Sequence, residues 1–403
     1  MSRRTSRRHL FRLGAAVAVA VACGEGTGPR VATYLAVSDT MALNSGESAQ
    51  LSVTVLAADS TPIAGLSPSF QSLDPTTITV SATGLVTSVG AGGSAVVRVS
   101  VDGLTADVTV LVFTHPAGTI QATTPVTARP FGIAISRAGH VYVTRGSAGT
   151  VSWSVLPQTD LSGTINVGSE PSSVAFDPSG ERAYVANQFG SAVGVILVSA
   201  AQQTHLVPLV GNPFYVLASQ DGASVYATLN TNVLSVIDAN LGTEVALVPV
   251  GDAPNGLALH PTESRLFVTA FFGGTITEVN TNTRQVVRTV TPGGALQGIV
   301  VAPEGDVLYV ADEAGDLKVV DLATGGVTQV PGASGGFGLA MSPDGRQLYM
   351  GVPSAGVVRV IDRASRTVIG TITTGGVPRR IAFDYFGNWA GIANESGWVT
   401  FVR

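Results

Sequence analysis

Leu296-Gln297-Gly298-Ile299-Val300-Val301-Ala302-Pro303-Glu304-Gly305-Asp306-Val307-Leu308-Tyr309-Val310-Ala311-Asp312 decides how this chain is read. A short apolar run, a turn rich in Pro, Gly and Asp, and a second run with an aromatic near its centre spell two strands and a tight connection. The pattern recurs. Copies begin at Pro130, Pro171, Pro213, Pro254, Leu296, Gly336 and Pro378, about 41 residues apart. Each opens with a strand such as Gly132-Ile133-Ala134-Ile135 or Gly256-Leu257-Ala258-Leu259, and a turn such as Ser342-Pro343-Asp344-Gly345 follows. The second strand centres on Tyr142, Tyr184, Tyr226, Phe267, Tyr309 or Tyr349, with Ala390 assigned to that place in the last copy. A third strand ends near an acid or amide, as in Val319-Val320-Asp321 and Val360-Ile361-Asp362, and a fourth follows, as at 286–290 and 368–372. Four strands at this period suit a propeller blade, whose sheet buries both faces against its neighbours.

The ends of this array also carry information. Arg403 comes just after the third strand of the seventh copy, and a strand near Gly118-Thr119-Ile120-Gln121 precedes the first. The N-terminal strand is therefore expected to complete the last sheet. Ile120 is matched to Ile165 and Ile372 but lies about four residues further from its proline, which leaves the closing residues open.

The repeats resemble the YVTN family of seven-bladed propellers, on Tyr142-Val143-Thr144-Arg145, Tyr184-Val185-Ala186-Asn187, Phe267-Val268-Thr269-Ala270 and Tyr309-Val310-Ala311-Asp312. The resemblance runs from about residue 118 to 403. The expected fold class is all-β: an immunoglobulin-like β-sandwich over 31–113 followed by a seven-bladed β-propeller of four-stranded blades over 114–403.

Residues 31–113 alternate short strands and turns without that period. Strands are expected at 34–37, 49–56, 68–72, 77–81, 94–101 and 106–112. The stretch from Asp74-Pro75-Thr76-Thr77 through Thr83-Gly84-Leu85-Val86 resembles the bacterial immunoglobulin-like domain of group 2, with Asn44-Ser45-Gly46-Glu47, Gly90-Ala91-Gly92 and Asp102-Gly103-Leu104 as further matches. Phe70 stands near the place where that family puts a tryptophan, so it is expected in the core. Such modules in exported proteins serve as spacers or adhesive units.

Positions 1–22 have a basic start, an apolar stretch from Leu13 to Ala22 and small residues at Ala20 and Ala22, the layout of an export signal. Ser6-Arg7-Arg8-His9-Leu10-Phe11-Arg12 resembles the twin-arginine signal, although Arg3 and Arg4 also fit an ordinary basic leader. Cys23, the only cysteine, follows Ala20-Val21-Ala22 and precedes a glycine-rich tether over 23–30; this resembles a lipoprotein box, while Ala-x-Ala also suits ordinary cleavage. Lipidation of Cys23 would anchor the chain in the cell envelope, periplasmic or at the surface; otherwise the protein is secreted. No cysteine pair exists for a disulfide.

Composition narrows the partners. The chain has 22 basic and 27 acidic residues, and five of the basic ones, Arg3, Arg4, Arg7, Arg8 and Arg12, lie in the leader. Without them the balance is −10 and no basic cluster remains, which argues against nucleic acid. A membrane is expected only through a lipid on Cys23.

Chemistry on a propeller converges where the first strands meet. The residues just after each copy's start are Phe131, Ser172, Phe214, Asn255, Gln297, Phe337 and Arg379, a ring with no carboxylate. The next positions are Gly132, Ser173, Tyr215, Gly256, Gly298, Gly338 and Arg380, and glycine there suits close approach at a crowded axis. Arg379 and Arg380 with Phe131, Phe214, Tyr215 and Phe337 are taken together as one patch for an anionic or aromatic group, with Asn255 and Gln297 beside it. His115, His140, His205 and His260 lack metal-ligand spacing, and no nucleophile elbow, P-loop or haem-attachment motif is present. No catalytic residue, cofactor or metal is expected. The expected function is a non-enzymatic envelope binding or scaffolding protein, with an unknown protein or small ligand at the channel mouth or loop faces. The alternatives are a propeller hydrolase or lactonase, a cofactor-binding oxidoreductase, or a surface adhesin.

Overall fold

A computed structural model describes residues 31–403, so the readings placed on residues 1–22 and on Cys23 lie outside the described residues. Regular structure there is strands plus four short 3-10 turns. No helix among the described residues is long and apolar enough to cross a membrane. The chain divides after Thr114 into two compact units.

The smaller unit holds three small sheets. One orders Thr40–Asn44, Leu104–Phe113, Gly93–Val101 and Ser69–Ser72, and its first pair runs parallel while the others are antiparallel. The strand expected over 49–56 is divided. Ser48–Gln50 pairs with Leu85–Ser88, whereas Val53–Leu56 pairs with Tyr34–Val37. The strands Thr40–Asn44 and Leu85–Ser88 lay outside the strands expected from the sequence. Val97, Val99, Val108, Val110 and Val112 alternate inward along the long hairpin and pack with Ile78 and Val86, all below 1% exposed. Phe70 is half-buried at the edge of this cluster rather than central to it.

The larger unit is seven antiparallel sheets of four strands. First strands begin at Pro130, Pro171, Pro213, Pro254, Leu296 and Pro378, where the period placed them. The sixth begins later, at Leu339, because Phe337 and Gly338 bond to Gly351 outside regular strand pairing. In six sheets the four strands follow each other along the chain. The seventh is ordered Ile120–Pro125, Trp398–Val402, Ala390–Asn394, Pro378–Phe383, so the strand ahead of the first copy does complete the last sheet. The residue opposite Val399 is Thr124, and Val399 stands where Val151 faces Ile165. Thr124, not the exposed Ile120, is thus the counterpart of Ile165. Neighbouring first strands lie against one another, and Pro130–Ile135 also lies against Pro378–Phe383.

The second-strand aromatics are all buried, from 0% to 3% exposed, and form the filling between sheets. Burial pushes the hydroxyl of Tyr142 up to about 12. In the seventh sheet the register assigns their place to Gly391 and not Ala390: Ala382 faces Gly391 as Ala175 faces Tyr184. Phe401, fully buried and directly opposite Gly391, supplies the missing aromatic volume from the third strand.

The last residue of the second strand clasps the loop that leads into the first strand. Asn394 accepts from the N–H groups of Val377 and Ser396 at 2.8 and 3.1 Å and donates to the Gly375 carbonyl at 2.7 Å. Asp312 accepts from the N–H groups of Ala295 and Ala314, and Lys318 pairs with it at 3.1 Å in a buried setting. Asn187 donates to the Val167 carbonyl at 2.7 Å. Side chains here satisfy backbone groups that a tight loop leaves without strand partners.

Candidate functional site

The end at which the first strands begin forms a mouth that is held together by one repeated bond. In all sheets but the sixth, which has Pro353 at this place, the N–H of the residue after the second strand reaches the carbonyl of the residue just before the first strand, as from Gln188 to Glu170, Glu313 to Ala295 and Glu395 to Val377, at 2.9–3.0 Å. Two loop positions per sheet therefore join the ring of first-strand starts. Arg129 and Glu170 turn into their strands with left-handed backbone, φ 57 and 49. This arrangement brings Glu170, Glu313 and Glu395 to a ring expected to hold no carboxylate. The missed signal lay in the repeats, since the residues before each starting proline and after each second strand occupy fixed offsets.

Arg379 stands at this mouth. Its guanidinium lies 4.6 Å over the Phe337 ring and 5.5 Å over Phe131, and its Nε donates to Glu395 at 2.6 Å. Phe131 in turn meets Phe214 and Phe337 edge-on, with centroids 5.8 and 5.6 Å apart. Glu395 also accepts from Arg129, which reaches Glu170 at 2.8 Å with its other nitrogen. Burial works to raise the Glu395 carboxyl, but the bonds from Arg129 and Arg379 outweigh it and hold the group below the usual carboxylate range. These residues, with Ser172, Gln188 and the exposed Phe189, wall a cavity of about 350 Å³. A neighbouring hollow of about 280 Å³ shares Phe214, Phe337 and Gln188 and adds Asn212, Asn230 and Phe271.

Arg380 is elsewhere. It is 7% exposed and lies over Tyr215 at 4.5 Å, Phe337 at 5.1 Å and Phe214 at 5.8 Å. Its Nη2 donates to Asn255 Oδ1 at 3.0 Å; the Asn255 amide donates to Gln297 Oε1, and Gln297 Nε2 donates to Glu313 at 2.6 Å. Two amides thus connect a buried cation to a carboxylate at the mouth. Desolvation pushes the guanidinium down to about 10, with the nearby charge of Arg379 acting the same way, yet it stays charged at neutral pH.

The expected single patch is consequently two sites. Phe131, Phe214, Phe337 and Arg379 face the mouth, and Asn255 and Gln297 line its second hollow. Tyr215 and Arg380 instead line a small internal cavity of about 30 Å³ behind the aromatic cluster. Consecutive residues of an extended strand point in different directions, so adjacent positions 379 and 380 part company. The glycines expected at the axis are crowded as anticipated: a Cβ at Gly338 would overlap the Arg379 carbonyl, and one at Gly256 would stand 2.6 Å from the Gln297 carbonyl.

The histidines are dispersed. His115 bonds Asp344 at 2.6 Å, and His260 accepts from the turn N–H groups of Thr262 and Glu263. Among the described residues no three metal-binding side chains come together.

No family model matches the sequence. The uncharacterized protein YwhL of Bacillus subtilis is 28% identical over 226 residues, which cover 53% of this chain and 49% of YwhL. The chain thus spans about half the length of that relative. Among solved structures, the hydrazine synthase of Kuenenia stuttgartiensis superposes with a TM-score of 0.65 at 20% identity, covering 71% of this chain and 98% of the other. At that identity the likeness shows the fold alone, an all-β architecture of the propeller type.

Proposed function

We propose that this chain is a non-enzymatic binding and scaffolding protein of the cell envelope, and that the channel mouth is its recognition surface. In this reading residues 115–403 form a closed seven-bladed propeller of the YVTN kind, and residues 31–113 form an immunoglobulin-like spacer. An export signal and a lipid on Cys23 hold the pair at a membrane. Support for closure comes from the first strand lying against both the second and the seventh first strands, and from the shared last sheet.

The observation that carries the binding reading is the stack of Arg379 on Phe131 and Phe337 at the wall of a cavity of about 350 Å³. Such a volume falls in the range of small-ligand sites. Aromatic faces offer area for a planar or apolar group, and the arginine and glutamate pairs around it offer fixed donors and acceptors for that group's polar atoms. Because Glu395 and Glu170 are already engaged by arginines, the rim is suited to orienting a ligand rather than to exchanging protons with it.

Ligand-observed NMR with a panel of aromatic peptides and saccharides tests this. Binders are expected in the wild type, with at least about tenfold weaker binding in Phe189→Ser and Arg379→Gln, as for anchors of an interface. Removal of residues 31–113 should leave that binding intact. Ligands that bind both variants as well as the wild type would sink the mouth, and loss of binding with residues 31–113 would make the small unit the adhesive part.

A further inference from the structure

The first strands run from the mouth to the other end of the channel, a six-residue span of roughly 17 Å at about 3.3 Å per residue. Their far ends surround an open funnel of about 590 Å³ that the mouth does not use. Its wall is more apolar than polar, with Leu217, Leu259, Val301 and Met341 around it and Tyr215, Ser219 and Gln220 among its polar residues. At its floor, Tyr215, Leu257, Ile299, Leu339 and Ile381 are shared with the internal cavity of about 30 Å³. Arg380 lines that cavity.

Arg380 is an unusual residue to find there. It is more than nine-tenths buried, it forms no ion pair among the described residues, and its only hydrogen bond is the one to Asn255. Its Nε has no hydrogen-bond partner among the described residues. A buried guanidinium is normally matched by a carboxylate, since aromatic faces and one amide oxygen replace only part of its lost hydration. The aromatic cluster of Phe214 and Phe337 stands between it and the mouth, so the open approach is from the funnel.

We infer that the funnel is a second binding site, for an amphipathic carboxylate whose head meets Arg380 and whose apolar body lies against Leu217, Leu259 and Met341. The choice of a carboxylate follows from three features. The inner cavity holds little more than one water or a two-oxygen head. A guanidinium edge matches that planar head. The funnel wall offers a tail mainly apolar contact, from Leu217, Leu259, Val301 and Met341. A bare anion would leave the funnel unfilled, and an uncharged lipid would leave Arg380 unmatched.

Calorimetric titration of the full-length protein with octanoate, 1-octanol and acetate separates these contributions. Octanoate is expected to bind at least tenfold more tightly than either of the others. Arg380→Gln should reduce octanoate to the level of octanol. Leu259→Glu, a change at the funnel wall away from the buried cation, should remove octanoate binding while the far-UV spectrum stays that of the wild type. Equal affinity for octanoate and octanol, an acetate affinity matching octanoate, or no octanoate binding would each overturn the inference. If Arg380→Gln does not fold, the three-ligand comparison and Leu259→Glu still decide it.

Discussion

Six sheets of the larger unit and the seventh are made of the same four strands, yet they are joined in opposite ways. In the six, each strand pairs with the next in the chain, so every sheet is local. In the seventh, Ile120–Pro125 pairs with Trp398–Val402 across almost the whole unit. The difference teaches that a repeat can specify its own sheet but not the closure of the set. Closure needs a contact of high sequence separation, whose entropy cost no single repeat offsets. The seventh sheet is adapted accordingly: Phe401 fills the place where other sheets use a second-strand aromatic, and Asn394 makes the fullest clasp of the series.

Three experiments would break or sharpen that comparison. The largest effect is expected from removing residues 115–126, which takes away the outer strand, the buried Val126 and the bond from Tyr349 to the Pro116 carbonyl. Melting should fall by more than about 10 °C, or the exposed edge should drive self-association visible in light scattering. An unaltered melting curve with a monomeric profile would mean that the seventh sheet is no weaker a joint than the rest.

Next in size, Asn394→Ala and Asn187→Ala compare one clasp position in the two kinds of sheet. Asn394→Ala strips three backbone partners and is expected to cost about 2–4 kcal/mol, whereas Asn187→Ala removes one side-chain bond and should cost about 1–2 kcal/mol. Urea unfolding of both gives the ranking. Equal costs would show that closure places no extra demand on its clasp.

The smallest effect concerns the segment that leads into the closing strand. Burial works to raise the Asp344 carboxyl, but bonds from His115, Ser342 and the Arg346 N–H outweigh it, and its folded value lies below the ordinary 3.8. A depressed carboxylate contributes stability above its unfolded pKa and loses it as pH falls through the folded one. His115→Ala should therefore lower stability at neutral pH, where the depressed carboxylate contributes in full, and bring the acid-unfolding midpoint to higher pH, with its effect fading as pH falls through the folded pKa. A midpoint that stays put would show that the histidine does not tie the entry segment to the sixth sheet.

Periodicity made the repeats legible because each blade-like sheet repeats one pattern of apolar run, turn and aromatic. It also located the ring of first-strand starts and its crowded glycines. Where one pattern was displaced, the reading slipped by a residue or more: Gly391 was missed because its aromatic had moved to Phe401, and Thr124 because a polar residue holds the offset that Ile165 and Ile372 hold in other copies while Ile120 lies four residues earlier. In the smaller unit, which has no repeat to average over, the break after Gln50 was invisible because both halves alternate well. Its two halves find different partners, which is a tertiary event.

The site divides along the same line. Sequence by itself determined which side chains crowd the axis, because their offsets in the repeat are constant. Only the tertiary structure decided that Arg379 joins Glu395 and two phenylalanines at one end, while Arg380 is sealed behind them and faces the other. Neighbours in a strand are adjacent in sequence but point in different directions, and the glutamates come from loop positions just before first strands and just after second strands. A side chain's chemistry depends on those surroundings, and they come from parts of the chain remote in sequence.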